Sequence, residues 1–456
     1  MDEIGRIAKI TKSIIKEKKV KLFSQYDADG LSSASIISKM LLRENVYFET
    51  RILKQLTVEA VADLKFTEND FIIFTDFGSG QLNLLKDILD KTHILVLDHH
   101  QPVEFDHMNL LHINPLNFGD EELSSSIICY LFAKNVNIKN TDLIELAITG
   151  AIGDIQDENW EFKGFLRKIL EEAETLGKLS IMRGLRLYGR NSRPIYKSLA
   201  FSYDPFIPGI TGSESQAIQF LSDLGIKLKE NDDWKKLKDL TLEEQQKLAS
   251  AIIMERLKDK NVDPENVFGE IYTLLGKPEE IQDTREFATL LNACGRTNNT
   301  SVALRLCLGD FTVLDNSFDV LNKYRKMIGD SIDLVRENNI VRTTDNASFI
   351  LAGSKIPESV IGTVTSILMN SSIIDNKKPI FGLAETDNGG VKISARMPRG
   401  TSVNLRDVIF NAVKVIGGEA GGHKDAAGAY IQKGKEEEFI RLVDSLLGEA
   451  IGSQKS

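Results

Sequence analysis

The chain has 456 residues, 42% hydrophobic and 27% charged, enough for two or three domains with ordinary cores. A formal net charge of −10 excludes a general polycation, so a nucleic-acid ligand must be gripped by a local basic cleft on an acidic body. Three cysteines without a CxxC spacing argue against disulfides and thiolate zinc sites, and neither a signal peptide nor a membrane span is legible, so a cytoplasmic protein is expected.

In chain order, Ile4, Ile7, Ala8, Thr11, Ile14 and Ile15 share one helical face. Val20 to Tyr26 reads as a strand that runs into Asp27-Ala-Asp-Gly30, with a helix over 31–42 after it. FIIFT (71–75) and ILVL (94–97) are short buried strands ending at Asp76 and Asp98. Strands alternating with helices predict βα units and a largely parallel sheet, which binds ligands at the carboxyl ends of its strands. From about 196 to 310 the texture changes to a mainly helical insert. It begins with a turn-rich break (DPFIPG, Asp204 to Gly209), and Ser213 to Gln216 and Thr241 to Glu244 look like capping boxes. Ser317 is expected to cap a long connecting helix with Phe318, Leu321, Tyr324, Ile328, Ile332 and Val335 among its apolar positions. FILAG, PIFGLAET and VKISARM read as strands of a smaller α/β domain, closed by a helix bearing Phe439, Leu442, Val443, Leu446 and Leu447.

The chemistry concentrates at the strand ends. Of six histidines, His99 and His100 directly follow Asp98, whereas His93, His107 and His112 read as packing or turn residues. Asp27 and Asp29, one residue apart, point the same way on an extended chain. Asp76 precedes a Gly-Ser-Gly turn, and Asp154 ends Gly150-Ala-Ile-Gly-Asp154, where glycines permit close approach. Converging carboxylates repel one another, and a divalent cation removes that cost. Carboxylate with imidazole suits manganese best, with magnesium or zinc as alternatives. The donors are enough for two ions about 3.5–4 Å apart, the arrangement that activates water for in-line attack on phosphorus.

Near the C-terminus, Gly421, Gly422 and His423 can offer N–H groups to an anion, and Ser394 and Arg396 share one face of a strand with chemistry suited to phosphate. Six bases between 391 and 430 (Lys392, Arg396, Arg399, Arg406, Lys414, Lys424) outnumber the acids Asp407, Glu419 and Asp425.

Asp27-Ala-Asp-Gly30, Thr75-Asp-Phe-Gly-Ser-Gly80, Asp98-His-His100 and Gly150-Ala-Ile-Gly-Asp154 resemble the four motifs of the DHH phosphoesterase superfamily. Gly421-Gly-His-Lys-Asp-Ala-Ala-Gly428 resembles the signature of its associated C-terminal domain. HINPLNFG (112–119), the stretch 193–214 and LNACGR (291–296) are similar to archaeal RecJ-like nucleases, including the GINS-associated nuclease. The resemblance implies a DHH catalytic domain (1–195), a mainly helical insert (196–316), a connecting helix (317–338) and a substrate-binding domain (339–456). It implies Asp27, Asp29, Asp76, His99 and Asp154 as ligands of Mn²⁺, two ions per site, or of Mg²⁺, with Asp76 as the bridge. Asp76, Asp98 and His100 match catalytic positions, and His100 is placed for the scissile phosphate. Asn292, Arg296, Ser394, Arg396, Gly421, Gly422 and His423 match substrate contacts. One departure is Gln25, where many relatives carry His or Asp; a neutral amide is a poorer ligand.

The activity implied is single-strand exonuclease cleavage of DNA, and of RNA as a second substrate, in replication or repair. GINS and through it the MCM helicase are the implied partners. Two alternatives are an oligoribonucleotide or cyclic-dinucleotide phosphodiesterase, and a non-catalytic replisome scaffold of the type found in the eukaryotic CMG helicase. No Walker loop is present, so no nucleotide cofactor is expected.

Overall fold

The structure, a computed structural model, describes residues 2–119, 123–157, 160–202, 205–258, 264, 266–337, 339–371, 373–398 and 400–452. Asp204 of the turn-rich break and Arg399 of the basic run lie outside the described residues. The chain forms two compact units, 1–321 and 322–456.

The first unit opens with α1 (Asp2–Ile14), β1 (Lys19–Gln25), α2 (Ala28–Arg43), β2 (Phe48–Leu53), α3 (Val58–Ala62), β3 (Asp70–Thr75), α4 (Lys86–Leu89), β4 (Ile94–Leu97) and β5 (Leu110–Ile113). The five strands pair in parallel in the order β2-β1-β3-β4-β5. β3 and β4 are buried throughout, which is why they read as unbroken apolar runs rather than alternating ones. One face of the sheet packs Phe23, Ile72, Phe74, Ile94 and Val96 into a core with Leu56, Leu82, Leu85 and Ile88. α2 packs with α5 (Ser125–Val136) and α6 (Ile144–Gly153). The glycines of α6 make that packing possible: a Cβ at Gly150 would lie 2.3 Å from Ser126 Oγ, and one at Gly153 would lie 2.5 Å from Ala28 Cβ.

After α7 (Gly164–Thr175), β6 (Leu179–Leu185), α8 (Ile195–Ala200), α9 (Glu214–Asp223), the short hairpin β7 (Lys229–Glu230) and β8 (Asp233–Trp234), and α10 (Leu242–Arg256), β9 (Phe268–Leu274) returns to pair antiparallel with β6. The segment 196–316 is therefore mainly helical but not wholly so. Its own apolar core gathers Leu199, Ile207, Ile210, Leu221, Leu248 and Ile252. Thr241 and Glu244 form the full reciprocal capping box, whereas Ser213 caps α9 by accepting from Gln216 N without a reciprocal bond. α11 (Thr284–Arg296) and α12 (Thr300–Leu308) then pack back on the first helices, α11 on α6 and α2 and α12 on α2.

The long helix α13 (Leu314–Glu337) starts one turn before Ser317, so that serine does not cap it. Asp310 instead caps a preceding 3₁₀ turn by accepting from Thr312 N, and Ser317 Oγ donates back to Leu314 O inside the helix. The boundary between the two units falls within α13.

The second unit contains β10 (Val341–Thr343), β11 (Ser348–Gly353), α14 (Glu358–Met369), β12 (Ile380–Glu385), β13 (Gly390–Arg396), α15 (Leu405–Ile416), β14 (Glu419–Gly422), β15 (Ala426–Gln432) and α16 (Glu436–Gly452). Its sheet runs β10-β11-β12-β13-β15-β14, with only β11 and β12 parallel. Phe381, Ile393, Ala395, Ala429 and Ile431 share a core with residues of α15 and α16, and the alternate residues Gly382 and Ser394 meet α14 on the other face. Among the described residues no helix is long and apolar enough to cross a membrane.

Candidate metal and phosphate sites

Every acidic motif of the first unit lies at the carboxyl edge of the parallel sheet or in the helices packed behind it. The chain leaves β1 and turns at once into α2, so Asp27 and Asp29 are not on an extended segment. Asp27 is the N-cap, accepting from Gly30 N at 3.0 Å, and Asp29 sits in the first helical turn. This corrects the same-side expectation: the helix start separates the two carboxylates, and each takes its own task. Asp29, 2% exposed, accepts from Ser125 N (2.8 Å) and Ser126 N (3.0 Å), where the α5 N-terminus favours a negative charge.

Asp76 follows β3 in a left-handed backbone conformation (φ 64°), held by its N–H donating to Leu97 O. It is 1% exposed, and its Oδ1 is buried with no hydrogen-bond partner among the described residues. Burial, reinforced by the charges of Asp29, Asp27, Asp98 and Asp154, pushes its carboxyl well above the usual carboxylate range. His99 Nε2 lies 3.6 Å from Asp76 Oδ1, and His99 Nδ1 lies 3.8 Å from Asp154 Oδ2. Asp154 is the C-cap of α6, its side chain 30% exposed.

Asp98 has a different role. It is fully buried and accepts from Ser79 N (2.8 Å), His99 N (2.8 Å), His100 N (3.2 Å) and His100 Nδ1 (2.8 Å). Burial opposes its charge, but His100, His99 and the Ser79 N–H outweigh it and hold the carboxyl well below its ordinary value. Burial likewise opposes a charged His100, yet Asp98, with Asp154 and Asp27, raises that imidazole to about 9. The His100 side chain is 40% exposed, and with Nδ1 engaged its Nε2 is the nitrogen left for a ligand.

Among the described residues, two sets of possible ligand atoms result, each lying within 4.8 Å of one another: Asp76 with His99 and His100, and Asp29 with His99 and Asp154. Asp27 belongs to neither set, although its charge acts on Asp76 and His100. Gln25, the last residue of β1, turns its amide nitrogen toward Asp76 O at 3.5 Å. An unpartnered buried carboxylate oxygen among like charges, with imidazoles alongside, fits a divalent cation.

The supporting residues extend beyond those the motifs suggest. Asn114 Nδ2 donates to Ser79 Oγ (2.9 Å) and His100 O (2.7 Å), and Ser79 Oγ meets His112 Nε2 at 2.8 Å. His112 is therefore not a bland turn residue but part of the network behind Asp98 and His100. His112 and Asn114 both lie in the HINPLNFG stretch, which was the available signal. Asn292, expected at the substrate, accepts through Oδ1 from Ala28 N at 2.9 Å; Arg296 is half-buried at the end of α11.

In the second unit, Ser394 pairs in register with Gly428, which pairs in turn with Gly421. Arg396 shares the Ser394 face of β13; its Nε donates to Ser366 Oγ (2.7 Å) and one terminal nitrogen to Ala395 O (2.8 Å). A Cβ at Gly421 would meet nothing within 4 Å, so the strand surface is open there. Gly422 adopts φ 124°, and His423, exposed in the β14–β15 turn, donates its N–H to Ala426 O at 2.8 Å.

Residues 19–151 match the N-terminal domain of the DHH family, 187–268 the DHH-CID domain and 347–449 the DHHA1 domain. An uncharacterized protein of Methanocaldococcus jannaschii is 33% identical over 99% of both chains. Among solved structures, RecJ in complex with Mn²⁺ from Thermus thermophilus is similar at 17% identity and TM-score 0.62, over 98% of this chain but only 55% of that one. CDC45 from Entamoeba histolytica is similar at 12% identity and TM-score 0.67, over 97% and 99% of the two chains. A manganese-bound exonuclease RecJ gives 16% identity and TM-score 0.58, over 98% and 94%. With three successive domain matches in their order and a relative at this identity over 99% of both chains, the chain belongs to the DHH family and has a DHH phosphoesterase fold.

Proposed function

We propose that the protein is a two-metal phosphodiesterase, a single-strand-specific exonuclease that hydrolyses DNA, and RNA as a second substrate, in replication or repair. The observation that carries this reading is the pair of candidate ligand sets meeting at His99, beside a buried Asp76 oxygen that no hydrogen bond satisfies among the described residues. Asp29, Asp76, His99 and Asp154 would hold Mn²⁺, or Mg²⁺, with Asp27 close by. The bound ions would supply an activated water and neutralise charge at phosphorus. The chain's own part is orientation. Asp98 fixes the His100 ring, whose Nε2 donates to a phosphate oxygen, and Asn114 with Ser79 fixes the backbone of that motif. In the second unit, Ser394, Arg396, Gly421, Gly422 and His423 would hold the terminal phosphate of a strand. GINS, and through it MCM, are the proposed partners, and the cytoplasm is the proposed compartment.

The scaffold reading is favoured only by the full-length likeness to CDC45, and that likeness is one of fold. A scaffold has no need of converging ligands. Incubating single strands with the protein and Mn²⁺ separates the two readings: stepwise release of nucleotides is expected, and intact strands at all metal concentrations would overturn the nuclease reading.

A further inference from the structure

Helix α11 makes contacts at both ends that the hydrolytic reading leaves unused. Asn292 Oδ1 accepts from Ala28 N, one of the N–H groups that a helix start leaves without an intrahelical partner. Nearly one turn further, a Cβ at Gly295 would lie 1.7 Å from Tyr26 O, so α11 and the β1–α2 loop are in backbone contact. Two turns before Asn292 on the same helix, Arg285 pairs with Asp157, and both side chains are buried. The Arg285 guanidinium also lies 3.9 Å from the centroid of the Trp160 ring, a cation–π contact. Asp157 follows Asp154 by three residues.

One helix therefore grips the β1–α2 loop, which ends at Asp27 and leads into the first helical turn with Asp29, and the loop that follows Asp154. The grip points are about 10 Å apart at 1.5 Å per residue. These loops come from different parts of the sheet-and-helix layer, yet Asp29 and Asp154 must reach the same imidazole, His99. Such an arrangement needs something to hold the separation of the loops constant.

We infer that α11 is a strut that sets this separation, and that Asn292 is a positioning residue for the metal site rather than a contact to substrate. Its acceptor oxygen is committed to Ala28, and a residue that orients ligands at one remove commonly changes metal affinity by 10- to 100-fold. The inference rests on the metal reading given above, but its test needs no nucleic acid.

Mn²⁺ alone is titrated into the metal-free full-length protein by calorimetry, and amide exchange is followed over residues 26–31. Asn292→Leu should weaken Mn²⁺ binding roughly tenfold or more and speed exchange in that segment. Asn292→Asp keeps the acceptor oxygen and should bind Mn²⁺ at least as well as the wild type, with slow exchange. Wild-type protein that binds Mn²⁺ while Asn292→Leu binds it equally well would overturn the strut, as would fast exchange in Asn292→Asp. Wild-type protein that binds no Mn²⁺ would overturn the metal reading itself, and the strut with it.

Discussion

At Asp76 a carboxylate is buried beside Asp29, Asp27, Asp98 and Asp154, and one of its oxygens has no hydrogen-bond partner among the described residues. That arrangement destabilises the metal-free protein and stabilises the loaded one. Asp76→Asn should therefore raise the thermal midpoint without metal, because a neutral amide escapes both the burial penalty on the charge and the repulsion of its neighbours. It should also abolish the rise in midpoint that Mn²⁺ gives the wild type; thermal melts with and without Mn²⁺ check both. Gln25 is the converse case, a neutral side chain at the edge of the cluster whose amide nitrogen faces Asp76 O. Gln25→His should lower the Mn²⁺ concentration needed for half-maximal activity severalfold, because imidazole is a better ligand than an amide. An unchanged half-saturation point would put residue 25 outside the ligand set. At this scale most of the cluster was legible, because acids placed directly after apolar strands have few structural reasons to gather. The separation of Asp27 from Asp29 was not. Asp-Ala-Asp-Gly reads equally as a loop, and only the Gly30 N–H returning to Asp27 makes it a helix start.

Among the elements, α6 and α11 position the ligands without supplying most of them. Gly150→Ala would force a Cβ to within 2.3 Å of Ser126 Oγ and 2.7 Å of Asp29 Oδ1. Overpacking of this kind costs about 1–3 kcal/mol, so a denaturant midpoint should fall and Mn²⁺ affinity with it. The start of α11 carries a pH dependence of its own. Asp283 caps it by accepting from Arg285 N and Glu286 N, yet burial, and then the charge of Glu286, raise the carboxyl to about 7, against those N–H bonds and Arg190. A carboxyl raised on folding contributes stability below its unfolded pKa, near 4, and loses it as pH climbs through 7. Asp283→Asn keeps the cap and cannot ionise. It should match the wild type near pH 4 and exceed it at pH 8, by up to roughly 4 kcal/mol; urea melts at the two pH values test this. α11 lies within the stretch that reads as mainly helical, but nothing local marks it as a strut, because Asn292 meets a residue 264 positions away. The start of α13 was misread for a simpler reason. Ser317 is a good capping residue type, but Asp310 and the 3₁₀ turn after it begin the helical path earlier.

For the whole molecule, the order of the domains followed from motif order, and the two-unit division did not, since it falls inside a continuous helix. The proposed phosphate site of the second unit leads to an expectation about strand ends. Arg396→Ala should weaken binding of strands bearing the recognised terminal phosphate by about ten- to a hundredfold, the worth of a charge-assisted hydrogen bond. Hydroxyl-ended strands should be affected far less, whereas equal losses on both that shrink together as salt rises would mean that Arg396 only adds to a general field. On the proposed reading, the cluster around His99 is a two-metal hydrolytic centre. Its most direct test is degradation of end-labelled single-stranded DNA by wild type and Asp76→Ala across a Mn²⁺ titration. Metal-dependent stepwise cleavage is expected from the wild type and none from the variant, with unaltered folding by circular dichroism. Wild-type rates from Asp76→Ala in the presence of Mn²⁺ would contradict it.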